Sequence, residues 1–239
     1  MQITISSGNN INGTLILPLF QGTEKLDDTS GGIPAQLRSQ INTVLSDNDF
    51  KGKAKTTLTL LGSEGGKAML IGLGKKEDAD ANTYRKAGAT VVKVRGKKHG
   101  TDLTVKLDST DCAFAAAFAE GLLLRDYSYD HYKTIDEDDK EDDINARIIC
   151  DEKIESDLTE AIRIATGVAS GVHLSRDLGN APPNDMYPMA YAKKAMDWAK
   201  QYDDVSVGVI TYEEAIEHGM GGLIAVGKGS ARKPCMVIF

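Results

Sequence analysis

Residues 175–190 have the sequence Ser-Arg-Asp-Leu-Gly-Asn-Ala-Pro-Pro-Asn-Asp-Met-Tyr-Pro-Met-Ala, and this stretch divides the chain. A long helix is predicted before it, over Ser156–Leu178, with Ser156 as the N-cap. Gly179 and the Pro182–Pro183 pair end that helix, because proline cannot continue a helix and glycine favours its C-terminal cap. We therefore expect a domain boundary between residues 150 and 180, with the helix as connector.

The first 150 residues alternate between strand-like and helix-like segments. Such alternation predicts an α/β layer architecture. The predicted strands are Thr14–Phe20, Thr57–Leu61, Ala68–Leu73, Leu103–Leu107 and Arg147–Cys150, and the predicted helices are Ala35–Leu45, Asn82–Val94 and Cys112–Leu124.

The residues after 187 predict a second set of elements. Helices are expected at Pro188–Gln201 and Tyr212–His218, and strands at Val205–Ile210 and Cys235–Phe239. Several glycines between residues 219 and 229 predict a turn that leads into the last strand.

Charge is concentrated in one segment of an otherwise ordinary composition. The chain has 239 residues, 41% hydrophobic, with a formal charge of −7. Seven acids and one lysine occupy Asp136–Asp143, which we expect to be a surface loop because clustered like charges repel one another. Lys93, Arg95, Lys97, Lys98 and His99 form a basic cluster that predicts a solvated helix end. The overall acidity makes nucleic acid an unlikely partner.

Cysteine usage and the N-terminal residues favour a cytoplasmic protein. Cys112, Cys150 and Cys235 are too few and too scattered for a disulfide framework, and none lies in a Cys-x-x-Cys pair. The first ten residues lack a basic segment followed by an apolar one, so no signal peptide is evident. No apolar run approaches the roughly 20 residues of a membrane-spanning helix.

Two glycine motifs each match only part of a phosphate-binding motif. Gly72-Leu73-Gly74 follows a predicted strand, but Glu77 stands where a dinucleotide fingerprint needs a third glycine. Gly222–Lys228 has most of a P-loop, but Gly229 replaces the required Ser or Thr. We expect both motifs to be structural turns.

The residues alone predict no active site. His99, His131, His173 and His218 lack metal-ligand spacing, and no serine lies in Gly-x-Ser-x-Gly. Asp177 with Glu213 or Glu214 could supply an acid–base pair, although nothing in their spacing brings them together.

Four blocks of sequence are informative when taken in order: Met69–Glu77 with Arg85–Ala89, Phe118–Lys133, Arg176–Pro188 and Gly219–Pro234. Together they resemble the M17 leucine aminopeptidase (cytosol aminopeptidase) family over essentially the whole length. Within the second block, Tyr129 stands where the family commonly has Phe.

The resemblance implies three parts of the chain. Residues 1–150 would form a macro-domain-like α/β amino-terminal domain, residues 151–178 a linking helix, and residues 179–239 an incomplete α/β start of the metallopeptidase domain. In this family, complete subunits form homohexamers in the cytoplasm. They release N-terminal amino acids from peptides, often leucine, with two divalent metals (zinc, manganese or magnesium).

The same resemblance assigns no catalytic, metal-binding or cofactor-binding residue to this chain. The family's metal-binding Lys, Asp and Glu and its catalytic Lys and Arg align beyond Phe239. Gly227-Lys228-Gly229 continues without the aspartate of the family's metal-binding segment, so Lys228 is expected to be a turn residue.

Two hypotheses remain open. The chain is the amino-terminal portion of a metalloaminopeptidase, inactive alone, or it is a stand-alone macro-like module that binds a nucleotide-derived ligand or a partner subunit. The first is favoured because the resemblance continues past the linking helix to Phe239.

Overall fold

The computed structural model describes residues 1–26, 31–62, 66–96, 99–107, 111–136 and 143–239. These residues form two compact units, Met1–His173 and Leu174–Phe239.

A six-stranded, mostly parallel sheet forms the centre of the first unit. Its spatial order is β1-β6-β5-β2-β4-β3, in which only β3 runs antiparallel to its neighbour. The mixed α/β class predicted from the sequence is confirmed. The strands are β1 (Gln2–Ser6), β2 (Thr14–Phe20), β3 (Thr57–Leu61), β4 (Lys67–Gly74), β5 (Asp102–Lys106) and β6 (Asn145–Ile149), and the helices between them are α1 (Ala35–Ser46), α2 (Ala81–Arg95) and α3 (Cys112–Arg125).

Strand β2 is buried along nearly its whole length, as expected for a strand covered on both faces. Its alternate residues enter two separate apolar clusters. Leu15 and Leu17 pack with Ile41 of α1 in one cluster, while Ile16 packs with Phe118 of α3 in the other. The sheet is therefore an inner layer between helices.

Helices α2 and α3 approach each other through two glycines. A Cβ atom built on Gly88 would lie 2.1 Å from the carbonyl oxygen of Phe118, and one on Gly121 would lie 2.0 Å from that of Arg85. Arg85 and Glu120 form an ion pair of 3.0 Å across the same crossing. Glycine is required at both positions because any side chain would overlap backbone atoms.

The long helix α4 (Glu155–Asn180) follows a short 3₁₀ turn at Glu152–Ile154. The prediction that Ser156 caps this helix is wrong, since Ser156 is its second residue. Asp151 caps the preceding turn instead, accepting a hydrogen bond from the backbone N–H of Lys153 at 3.0 Å.

The second unit contains α5 (Pro188–Ala199), β7 (Gly208–Ile210), α6 (Tyr212–Glu217), α7 (Gly221–Gly227) and β8 (Met236–Ile238). Strands β7 and β8 pair in an antiparallel sheet. The predicted glycine-rich turn is wrong over residues 221–227, which form α7.

The basic cluster predicted to be solvated is partly buried. Arg95 is 7% exposed and its Nη1 donates to the carbonyl of Gly100 at 2.7 Å. His99 is 2% exposed, and its carbonyl accepts a hydrogen bond from the Thr14 hydroxyl at 2.7 Å. Lys97 and Lys98 lie outside the described residues, as do residues 137–142 of the acidic run. None of the helices in the described ranges is both long and apolar enough to cross a membrane.

Candidate functional site

The segment Arg176–Pro188 forms the end of α4, a tight turn and the start of α5. The backbone N–H groups of Asp185 and Met186 both donate to the carbonyl of Pro182, at 2.9 and 2.8 Å. Pro188 is the first residue of α5, where a missing N–H costs no hydrogen bond. The prolines therefore fix the chain's direction between two helices.

The segment Gly219–Pro234 contains α7 and the loop that follows it. Gly227 lies directly against Pro234, because a Cβ built on Gly227 would be 2.2 Å from Cγ of the proline. Lys233 Nζ donates to the carbonyl of Lys228 at 3.0 Å. Lys228 itself is the C-cap of α7.

Two cation–ring contacts involve these segments, and the first of them joins one segment to the other. The guanidinium carbon of Arg232 lies 3.8 Å from the ring centroid of Tyr187. Lys233 Nζ lies 5.4 Å from the ring centroid of Tyr212 at the start of α6. Neither contact can be predicted from the sequence, because the partners are separated along the chain and share no periodic pattern.

Glu214, one member of the proposed acid–base pair, is a helix cap. Its carboxylate accepts hydrogen bonds from the Thr211 N–H at 2.7 Å and the Thr211 hydroxyl at 2.9 Å. These bonds lower the pKa of Glu214, so the group is ionised at neutral pH. Asp177 lies in α4 and Glu213 in the exposed first turn of α6. A carboxylate committed to a cap is poorly suited to general acid catalysis.

Two of the four histidines contact tyrosine rings. His131 packs edge-on to Tyr132 with ring centroids 4.8 Å apart, and the His173 ring is 5.2 Å from that of Tyr127. His99 is buried as described above, and His218 follows α6.

Within the described ranges, the structure brings together no group of three or more His, Cys, Asp or Glu side chains that could hold a metal ion. Burial raises the pKa of the Cys150 and Cys235 thiols, which disfavours the thiolate that binds metals.

The glycines at the C-terminal end of β4 have a packing role. A Cβ on Gly72 would lie 1.9 Å from the carbonyl oxygen of Lys53, and Gly74 has a φ of +88°. The Gly74 N–H donates to Gly52 at 2.9 Å. The loop before β3 therefore lies directly against the end of β4.

The geometry defines a class: a mixed α/β unit with a six-stranded, mostly parallel sheet, followed by a smaller unit with a two-stranded sheet in its described residues. Two family models match consecutive parts of the chain. The cytosol aminopeptidase family N-terminal domain matches residues 16–136, and the catalytic domain of the same family matches residues 173–239. The chain belongs to the cytosol aminopeptidase family.

Individual relatives agree with this assignment. The chain is 32% identical to a probable cytosol aminopeptidase of Rhizobium etli, a match that covers 100% of this chain and 48% of that protein. A probable cytosol aminopeptidase of Roseiflexus castenholzii is 29% identical, with 100% and 49% covered. The chain thus spans about half the length of the curated relatives it matches.

Solved structures share the fold. A mutant of tomato leucine aminopeptidase superposes with a TM-score of 0.81 at 25% identity, covering 99% of this chain and 50% of that one. The bottromycin maturation enzyme BotP, solved with Mn, gives a TM-score of 0.71 at 24% identity, covering 94% of this chain and 44% of that one.

Proposed function

We propose that this chain is the amino-terminal portion of an M17 metalloaminopeptidase and has no peptidase activity on its own. The complete protein would release N-terminal amino acids from peptides. The observation that carries the proposal is the consecutive match of the two family models, in the family's order, along one chain. A stand-alone binding module gives no reason for the second match.

The proposed chemistry requires two divalent metals, zinc, manganese or magnesium, bound by residues outside the described part of this chain. Bound metals of this kind polarise the scissile carbonyl and activate a water molecule. What the described residues contribute is structural. The buried sheet positions its helices, and the Arg232–Tyr187 contact fixes the opening segments of the catalytic domain.

We propose further that the complete protein is a cytoplasmic homo-oligomer, a hexamer as in its family, with peptides as substrates. Residues 151–178 would connect the amino-terminal domain, residues 1–150, to the catalytic part that begins near residue 179.

The test is to sequence the gene past the codon for Phe239 and to assay its full product. We expect an open frame that encodes Gly-Lys-Gly-x-x-Phe-Asp, and a product that releases leucine from leucyl peptides only when divalent metal is present. A full product that binds no metal and leaves leucyl peptides intact would refute the proposal.

A further inference from the structure

Five lysines lie close together at the edge of the sheet where β4 ends. The loop before β3 lies against the end of β4: the Gly74 N–H donates to the carbonyl of Gly52 at 2.9 Å, and the Lys55 N–H donates to that of Gly72 at 3.2 Å. These bonds hold the lysines of the loop beside the two lysines that follow β4. The five residues are called the lysine patch: Lys51, Lys53, Lys55, Lys75 and Lys76.

Every residue of the lysine patch is exposed, and within the described ranges none forms an ion pair with a carboxylate. Glu77 and Asp78 follow the patch directly. Five lysines against these two acids leave a net charge of +3 over residues 51–55 and 75–78. A patch of this charge on an acidic protein favours an anionic partner. Because the lysines are spread over two exposed segments, they suit an extended anionic segment.

Asp143, the last residue of the acidic run, lies at the opposite edge of the same sheet. It comes two residues before β6, and its carboxylate lies 3.5 Å from the amino group of Met1, next to β1. Strands β1, β6, β5, β2 and β4 are parallel, so the edge where β6 begins is opposite to the edge where β4 ends. The eight residues of β4 span roughly 26 Å, and β6 is three strands away, roughly 14 Å. Asp143 therefore does not reach the lysine patch of its own copy.

The sequence of the acidic run supplies the charge that complements the patch. Seven acids and one lysine give Asp136–Asp143 a net charge of −6. We propose that the lysine patch of one copy binds the acidic run of a second copy. The two copies use different surfaces in such a contact, so the contact repeats into a closed ring or an open chain of copies. Both segments belong to the first unit, and the inference does not rest on the proposed peptidase function.

The probe for this contact is a fluorescently labelled peptide with the sequence of residues 134–145. It is titrated with the 239-residue chain, and binding is followed by fluorescence anisotropy. We expect saturable binding in about 50 mM sodium chloride that is lost in about 500 mM, because salt screens exposed charges. A peptide with every Asp and Glu changed to the amide should not bind. Sedimentation velocity of the chain alone should show association with the same dependence on salt.

Two double variants test the site. Lys53→Glu with Lys75→Glu should weaken peptide binding about fivefold or more, because two attractive contacts become repulsive. The matched control is Lys93→Glu with Lys153→Glu, which changes the net charge equally at two exposed lysines outside the patch. Its affinity for the peptide should stay within about twofold of the wild type, because salt screens charges that lie far from the contact. Circular dichroism establishes that both variants are folded.

The outcomes decide between occupants of the patch. Loss of peptide binding and of self-association in the patch variant alone supports the proposal. Absence of peptide binding at low salt overturns it, as does equal binding by the two double variants. A DNA or RNA oligonucleotide that binds the patch at least about tenfold more tightly than the peptide assigns the patch to nucleic acid and also overturns the proposal. None of these readouts involves peptidase activity, so a failure of the proposed function would leave them unchanged.

Discussion

The guanidinium group of Arg232 stacks on the ring of Tyr187, with its central carbon 3.8 Å from the ring centroid. Tyr187 immediately precedes α5, and Arg232 lies in the loop between α7 and β8. This one contact therefore joins the residue that precedes α5 to the loop that precedes β8.

Removing this contact should destabilise the second unit. Arg232→Ala is expected to lower the free energy of unfolding by about 0.5–2 kcal/mol, the range of cation–π pairs. The free energy of unfolding of Arg232→Lys should lie between those of the wild type and Arg232→Ala, because an ammonium group cannot stack flat on the ring. Urea denaturation followed by Trp198 fluorescence measures the effect.

Arg163→Ala is the control for this prediction. Arg163 is 72% exposed in its pair with Glu160, so its removal should change the free energy of unfolding by less than about 1 kcal/mol. Equal effects of the two alanine variants would contradict the prediction.

The glycines at the α2–α3 crossing should not tolerate a methyl group. Gly88→Ala and Gly121→Ala would each place a Cβ within 2.1 Å of a backbone oxygen, so we expect a loss of about 1–3 kcal/mol or more. Gly167→Ala in α4 is the matched change, because nothing lies within 4 Å of its added Cβ. It should stabilise the chain by about 0.5–1 kcal/mol. Circular dichroism in urea compares the three, and a Gly88→Ala variant as stable as wild type would show that the crossing is looser than described.

The cap of α6 should make the stability of the second unit pH-dependent. The Thr211 hydrogen bonds lower the folded pKa of Glu214, so their contribution to stability is present above the unfolded pKa and is lost as the pH falls through the folded pKa. Glu214→Gln should therefore be destabilising at pH 7, and its difference from wild type should vanish at low pH. Glu217→Gln, at the other end of α6, is the control. A Glu214→Gln difference that persists unchanged at pH 3 would exclude this cause.

The 239-residue chain should not hydrolyse aminoacyl substrates. Its described residues contain no group of three or more His, Cys, Asp or Glu side chains that could hold a metal ion. A two-metal hydrolase needs several metal-binding side chains close together. The measurement is incubation with leucyl-p-nitroanilide and excess manganese. Turnover that stays with the protein through successive purification steps would disprove the expectation.

Hydrogen exchange should differ between the two sheets. Amides of β8, in a two-stranded sheet, should exchange faster than those of β4, which has a partner on each side and is almost wholly buried. Mass spectrometry of peptides covering Lys67–Gly74 and Met236–Ile238 measures this. Equal protection in a demonstrated monomer would mean that the second unit is a complete small domain.

Most elements of the first unit could be predicted from the sequence, because the spacing of their apolar residues matches the repeat of the strand or helix that they form. Strand β1 was not predicted: Ile3 and Ile5 alternate with polar residues, but only five residues take part, at an edge of the sheet. Arg95 and His99 were expected in solvent because charge was the only local signal, and their burial depends on Gly100 and Thr14.

Helix α7 shows the same limit in the second unit. Its three glycines favour a turn by intrinsic propensity, yet the segment is helical. Gly227 is packed against Pro234, a contact that no local window contains. The family could be recognised from the sequence because short motifs are read directly from contiguous residues. Contacts between residues far apart in the sequence cannot be inferred in this way. The contact of Arg232 with Tyr187 required the structure.

The pairing of β1 with β6 has a consequence for synthesis on the ribosome. Gln2 lies opposite Asn145, and β1 has no other partner among the strands that the structure describes. At about 5–20 residues per second, roughly 7–30 s separate the translation of these two residues. During that interval the first strand emerges without the strand beside which it finally lies, and an unpaired edge invites aggregation. Nascent chains stalled before β6 should therefore depend on chaperones, whereas chains stalled well after it should not.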